Sequence, residues 1–483
     1  MKGTETVGWA ARLHGPWLWL ASAAIGLSLG WLLAGVIPGN LDASGNPVIE
    51  PWLVIPFAVL LLSIALMPFI SERVWHRHFP DFSFGLGGLV AAYVLRAFHV
   101  SDGHGGMVGT HAVIHALEEF YSFVALVCGL YVVSGGILIS IRGRATPTLN
   151  VLILGAGALL ANLVGTTGAS MLLLRPFMRL NEGRLKPIHI VLFIMIVSNC
   201  GGLLTPVGDP PLYIGFLKGV PFLWTLQHLW NEWLLVVGAL LAIAFVIDLR
   251  IGPKPATEES EPQHVGGKGL SISGTPGLIC LALMVAGVFV DPVLKLRFGI
   301  SGFPYGATFQ LAVAAASYFV ADRKILAANQ FSFFPAKEVS LLFLGIFVTM
   351  IPALGYLSVH GQKMGVDTPT AFYFMTGALS AVLDNAPTYV NFLQIAIGPE
   401  AITPTTIARL LAEEETGRHV LSGISSGAVL FGALTYVGNG PNFMVRSIAN
   451  SAGVKMPSFF GYALYGVVIL LPILLLNWLL FIR

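Results

Sequence analysis

The chain has 483 residues, of which 55% are apolar and only 10% charged, and its mean hydropathy is +0.80. A soluble globular domain carries about 25% charged residues, so this composition excludes one and marks an integral membrane protein. The formal net charge of +2 is small and scattered, which excludes nucleic acid as a partner, because that function needs a clustered basic face. Cys128, Cys200 and Cys280 all lie in apolar runs, where a thiol behaves as a small hydrophobe; neither a disulfide nor a cysteine metal site is expected.

In chain order, residues 1–15 are polar, with Lys2 and Arg12, and residues 16–38 form an apolar run long enough to cross a hydrocarbon core of about 30 Å. A cleaved signal or a retained helix would both read this way. The run exceeds the usual apolar core of a signal, about 7–15 residues, and VIPGN is a poor cleavage site, so residues 1–40 are read as an extra transmembrane helix. Apolar segments near 51–70, 83–99 and 117–140 follow as scaffold helices of a first repeat, residues 41–250, with Arg73, Arg77, Arg142 and Arg144 in the loops between them.

Residues 148–181 change the pattern. Gly165, Thr166, Thr167 and Gly168 interrupt the apolar run, leaving arms of only about 22 and 18 Å at 1.5 Å per residue, too short for two crossings. A re-entrant helical hairpin fits, with its turn at membrane depth, where irregular backbone is tolerated only against protein or a wet cavity. Arg175, Arg179, Arg184 and Lys186 gather where the second arm leaves and would pin the open end to the cytoplasmic side. Residues 187–224 are broken by TPVGDPP, whose prolines cannot continue a helix. A last helix spans 231–249.

Residues 251–273 are polar and read as a cytoplasmic linker. The second repeat, 274–483, then runs through apolar segments within 275–358, a hairpin at 367–398, a broken helix at 419–450 and a closing helix at 458–482. Its hairpin carries GALSAVLDNAPTYVN, in which Gly377, Ala378, Leu379, Ala381 and Leu383 match Gly157, Ala158, Leu159, Ala161 and Leu163; its break, LTYVGNGPN, matches LTPVGDPPL. With the amino terminus inside, the inner segments collect 18 of the 26 basic residues, which places the amino terminus in the cytoplasm, the carboxyl terminus outside and the protein in the inner (plasma) membrane. The two repeats are then inverted copies in an all-α polytopic fold of 5+5 type, a recurrent plan of secondary transporters.

GTTGAS, GDPPLYIG, LDNAPTY and GNGPNFMV resemble the paired hairpin-tip and unwound-helix motifs of the ion transporter superfamily, which contains citrate and dicarboxylate transporters, arsenite permeases and NhaD-type sodium/proton antiporters. VSGGI and LSIALMP resemble its scaffold segments, most closely in a branch named for citrate transport or sodium:proton antiport. The resemblance spans nearly the whole chain after the first helix and implies an elevator-type homodimer. Dicarboxylate members carry Ser-Asn-Thr at each hairpin tip, whereas the tips here read Gly-Thr-Thr and Asp-Asn-Ala; the second is closer to the antiporter branch.

A carboxylate in the middle of a membrane helix costs roughly 2.5–3.5 kcal/mol and so marks an ion path. Sodium prefers oxygen ligands, which unwound helices and hairpin tips supply. The candidate binding residues are Thr166, Thr167, Ser170, Thr205 and Asp209 at the first break, and Asp384, Asn385, Thr388, Asn439 and Asn442 at the second. Asp384 and Asp209 are the proton-exchange candidates. Each has a plainer reading: Asp209 as a helix cap, Asp384 and Asn385 as a structural turn, Thr166 and Thr167 as turn satisfiers. Arg175 reads as a snorkelling anchor or as an anion partner.

Asp102, His104, His111, His115, Glu118 and Glu119 form a second constellation, with His111, His115 and Glu118 on one helical face, open to a zinc site, a proton path or a solvated helix start. No structural zinc and no cofactor beyond sodium or protons is expected. HExxH, GxSxG and a Ser/His pair at credible spacing are absent, so an enzyme is not expected. Two readings remain: sodium/proton antiport, and sodium- or proton-coupled transport of citrate or another di- or tricarboxylate, which the amino ends of half-helices would suit.

Overall fold

The computed structural model describes residues 15–41, 47–100, 107–142, 145–252, 269–300 and 302–483. Asp102, His104, the basic residues Lys2, Arg12 and Arg144, and linker residues 253–268 lie outside them. Seven helices among the described residues are long and apolar enough to cross a membrane: in lipid every backbone group must be satisfied internally, and helices do this. The chain is an all-α, multi-pass membrane protein apart from two short strand pairs.

The chain divides into two units. The first comprises residues 1–120 and 337–361. Its first helix, Pro16–Val36, lies along the second, Ile55–Ala97, through small residues: a Cβ on Gly26 would meet Gly85 O at 2.1 Å and one on Gly30 would meet Leu89 O at 2.0 Å, the close approach typical of membrane helix pairs. The two expected segments, 51–70 and 83–99, are two helices that meet at a kink at Ser71 (φ −157°, ψ 93°) within Ile55–Ala97, the second starting directly after the kink rather than at 83. Among the polar residues between the segments, His78 and Asp81 pair within the helix at 2.7 Å.

The second unit, residues 121–336 and 362–483, holds both hairpins, both broken helices and the closing helix, together with the helices Thr275–Gly287 and Tyr305–Val320 that the sequence reading placed in the scaffold. The first hairpin is Pro147–Leu180, reversed at Gly165 (φ 77°, ψ 156°). Its ends meet: Asn150 and Asn181 exchange side-chain hydrogen bonds of 2.8 Å in both directions. Gly165 sits in a backbone region essentially reserved for glycine. Gly165→Ala is expected to lower stability by about 1–3 kcal/mol, read as a fall in Tm of the purified protein. Gly155→Ala is the control, since its Cβ would meet only a Leu241 methyl at 3.5 Å.

The second hairpin is Pro369–Val382 and Asn385–Ile397, and its turn needs no positive φ because Asp384 caps the second arm. The first broken helix is Pro187–Ile196, a tight turn at Cys200–Leu204, and Pro210–Leu217; the second is Glu414–Phe431, Gly432–Leu434 and Gly440–Ser451. One contact is made twice: the break threonine donates to a hairpin carbonyl, Thr205 Oγ1 to Asn162 O at 2.5 Å and Thr435 Oγ1 to Ala381 O at 2.6 Å.

Three elements differ from expectation. Residues 269–273, read as linker, form the strand Gly269–Ser273, antiparallel to Leu138–Arg142; Ile139 and Ile141 in one strand and Ile272 in the other favour the pairing. The helix expected at 231–249 starts earlier, as Trp224–Ile251. An unanticipated helix, Pro404–Ala412, is held by a reciprocal Thr403/Thr406 cap.

Candidate functional site

Two prolines decide what Asp209 does. It occupies the N-cap position of Pro210–Leu217, yet its side chain makes no capping bond. A capping carboxylate accepts from the second or third amide of its helix. Here Pro211 has no amide proton, and Leu212 N donates to Asp209's own carbonyl at 3.1 Å. The carboxylate therefore turns away from its helix. Its Oδ1 accepts from Thr166 Oγ1 at 2.8 Å and Asn439 Nδ2 at 2.9 Å, and its Oδ2 from Asn385 Nδ2 at 2.6 Å. Each donor comes from a different element: the first hairpin, the second break and the second hairpin. Asp209 is 1% exposed, and among the described residues no cationic side chain pairs with it.

Asp384 behaves in the opposite way. Asn385 and Ala386 retain their amide protons, and Asp384 Oδ1 accepts from Ala386 N at 3.0 Å. It is partly exposed and closes its own turn, while Thr388 Oγ1 donates to Asp384 O at 2.9 Å. The neighbouring Asn385 reaches the centre instead.

The remaining candidates surround this point in layers. Thr167 lines, with Thr166, Gly208, Asp209 and Tyr213, a cavity of about 20 Å³, room for one water-sized body. Ser170 Oγ lies 2.8 Å from Ser198 Oγ. Thr205, besides its bond to the hairpin, accepts from Gly208 N at 3.1 Å and so holds the break in shape. Asn442 Nδ2 does the same for the second break, donating to Gly432 O at 3.0 Å and Thr435 O at 2.9 Å. Three polar residues that the sequence reading missed join the network. Asn162 Nδ2 donates to Gly201 O at 2.7 Å, Asn199 Nδ2 to Asn442 Oδ1 at 2.5 Å, and Ser198 O accepts from Asn439 Nδ2 at 3.3 Å. The signal for the last two was the Ser-Asn pair at the end of an otherwise apolar run.

Two buried oxygens of the network, Asn385 Oδ1 and Asn199 Oδ1, have no hydrogen-bond partner. Buried polar atoms are almost always paired, so the orphaned oxygen of Asn385, whose amide nitrogen donates to the carboxylate, forms with that carboxylate a donor set that fits a hard cation.

Arg175 donates to Asn329 O and, at 3.0 Å, to Gln330 Oε1, which makes it an anchor. Arg184, read from the sequence as part of the basic cluster at the hairpin's open end, is 6% exposed and paired with Asp248. His111, His115 and Glu118 are exposed; His115 faces Glu119 at 3.5 Å, and among the described residues no group of three His, Cys, Asp or Glu is placed to hold a metal ion.

No curated protein matches the chain. A family profile described as "Putative citrate transport" matches residues 46–482. A match of that extent, over a helical membrane fold centred on paired breaks, places the chain in this citrate-transport family, within the ion transporter superfamily.

Proposed function

We propose that the chain is a secondary active transporter that exchanges a monovalent cation, sodium foremost, for protons by alternating access, with Asp209 as the exchanging group. One observation carries this reading: a buried carboxylate held by three neutral donors from three elements, with no cationic partner among the described residues. Burying an uncompensated charge is costly, and a proton or a small cation removes that cost in turn. Cation binding displaces the proton from the carboxyl group, and protonation releases the cation, so the two cannot occupy it together. The orphaned oxygen of Asn385 adds to the ligand set, and the adjacent cavity suits a small ion far better than a tricarboxylate.

The finer architecture belongs to this proposal. The two hairpin and break modules are inverted copies, supported by the twice-made threonine contact. They move as one body in an elevator, supported by the confinement of every central residue to the second unit. The protein works as a homodimer in the plasma membrane with a cytoplasmic amino terminus.

The family description favours a second reading, sodium- or proton-coupled transport of citrate or another di- or tricarboxylate, in which Asp209 would hold only the coupling ion. Proteoliposomes separate the two. External sodium, tested beside lithium and potassium, is expected to alkalinise acid-loaded vesicles, and Asp209→Asn to prevent it. Sodium-dependent citrate accumulation without cation/proton exchange in the wild type would overturn the antiport reading.

A further inference from the structure

A second buried carboxylate lies outside the site described above. Glu232, on Trp224–Ile251, is 2% exposed. Its Oε2 accepts from Ser426 Oγ at 2.6 Å and from Asn477 Nδ2 at 2.8 Å. Ser426 sits on Glu414–Phe431, the first half of the second broken helix, and Asn477 ends Leu471–Asn477 in the closing helix. The group therefore ties together three elements of the same unit, and among the described residues no cationic side chain pairs with it. The titratable groups around it are the Tyr373 phenol, which donates to Leu474 O at 3.1 Å and lies 3.5 Å from Asn477 Nδ2, and beyond it the Cys200 thiol. Neither supplies positive charge.

Asn477 is fully buried, and its Oδ1 has no partner. An amide that offers a donor to a carboxylate while leaving its acceptor idle is what a carboxyl group with two protonation states requires. When Glu232 is ionised, Nδ2 of Asn477 and Oγ of Ser426 donate to it. When it is protonated, its hydroxyl needs an acceptor, and a half-turn of the Asn477 amide exchanges Nδ2 for Oδ1 at almost no change in shape. Both states are then satisfied within one fixed backbone.

We propose that Glu232, Ser426 and Asn477 form a second proton-binding site, separate from Asp209, which takes up and releases a proton during the transport cycle. The site lies close to the first break: Trp233 Nε1, on the next residue, donates to Gly201 O at 2.9 Å, the same carbonyl that Asn162 holds. A change at the break is thereby transmitted directly to the helix that carries Glu232. The inference deepens the transport reading and rests on it for the word cycle, but the proton site stands on its own geometry.

The test is infrared difference spectroscopy of the purified full-length protein between acid and alkaline pH, reading the carboxylic-acid carbonyl band. In the wild type a band that titrates is expected; Glu232→Gln removes its Glu232 component, and Asp209→Asn leaves that component in place. Ser426→Ala, which keeps the carboxyl group but deletes a donor, shifts the band frequency and serves if Glu232→Gln does not fold. In proteoliposomes Glu232→Gln is expected to lower the number of protons moved per cation by one. Identical acid-minus-alkaline spectra for wild type, Glu232→Gln and Ser426→Ala overturn the proposal. A Glu232 band in protein that exchanges no cation for protons leaves the proton site standing and removes the transport reading instead.

Discussion

Asp209→Asn is expected to reduce cation/proton exchange at least about 100-fold, which corresponds to about 2.7 kcal/mol at 1.36 kcal/mol per decade, and to leave the fold intact. Asparagine is nearly isosteric but cannot trade a proton for a cation. Its amide would also set a donor among donors, since Thr166, Asn385 and Asn439 all point hydrogens at the carboxylate. Thr166 can rotate its hydroxyl to accept, which confines the stability cost to about 1–3 kcal/mol. Asp384→Asn is the informative comparison. Asparagine is as good an N-cap as aspartate, so this variant should keep its Tm and most of its exchange. The opposite ranking, with Asp384→Asn inactive and Asp209→Asn active, would transfer the exchanging role to the second hairpin.

The largest loss of stability is expected from Asp248→Ala. Asp248 Oδ1 accepts from Arg184 and lies 2.9 Å from His189 Nε2, while Oδ2 accepts from Asn150 Nδ2 at 3.0 Å. Asn150 also holds Asn181, so one carboxylate braces both ends of the first hairpin, the start of the first broken helix and the end of Trp224–Ile251. Both charges are 3% exposed at the side chain, and Arg184 Nε and Nη1 already lack partners. Removing the carboxylate strands a buried guanidinium, a loss of about 3–5 kcal/mol, visible as a large fall in Tm or failure to purify. The double variant Arg184→Met/Asp248→Leu should recover most of it, because an apolar pair of similar volume carries no desolvation penalty. A Tm unchanged by Asp248→Ala would show that this network does not brace the hairpin.

The breaks were legible because their chemistry is local. The Gly165-Thr166-Thr167-Gly168 run interrupts an apolar stretch too short for two crossings, and Pro210 with Pro211 cannot propagate a helix, whatever packs around them. The strand Gly269–Ser273 was not legible, because its partner lies more than a hundred residues away at Leu138–Arg142, and five residues of modest β-propensity look like linker until that partner is known. The helical state of residues 72–82 was hidden for a related reason: polar residues between two apolar runs look like a loop. Among the candidate residues, the sequence reading weighted Asp384 above Asp209, because an acid beside an asparagine at a hairpin tip is conspicuous. The distinction lay instead in which following residues keep an amide proton, and that signal, PP against NA, was present in the sequence.

By itself the sequence determined the membrane class, the two interruptions in each half and the polar side chains set within them, since composition and backbone chemistry act over a few residues. Only the tertiary structure decided which carboxylate collects the converging donors, that Arg184 is buried against Asp248, and that Glu232 meets Ser426 and Asn477 across some 200 residues of chain. The reason is physical: a side chain's charge state and role depend on the groups within hydrogen-bond reach, and in this fold those groups come from segments that sequence spacing does not relate.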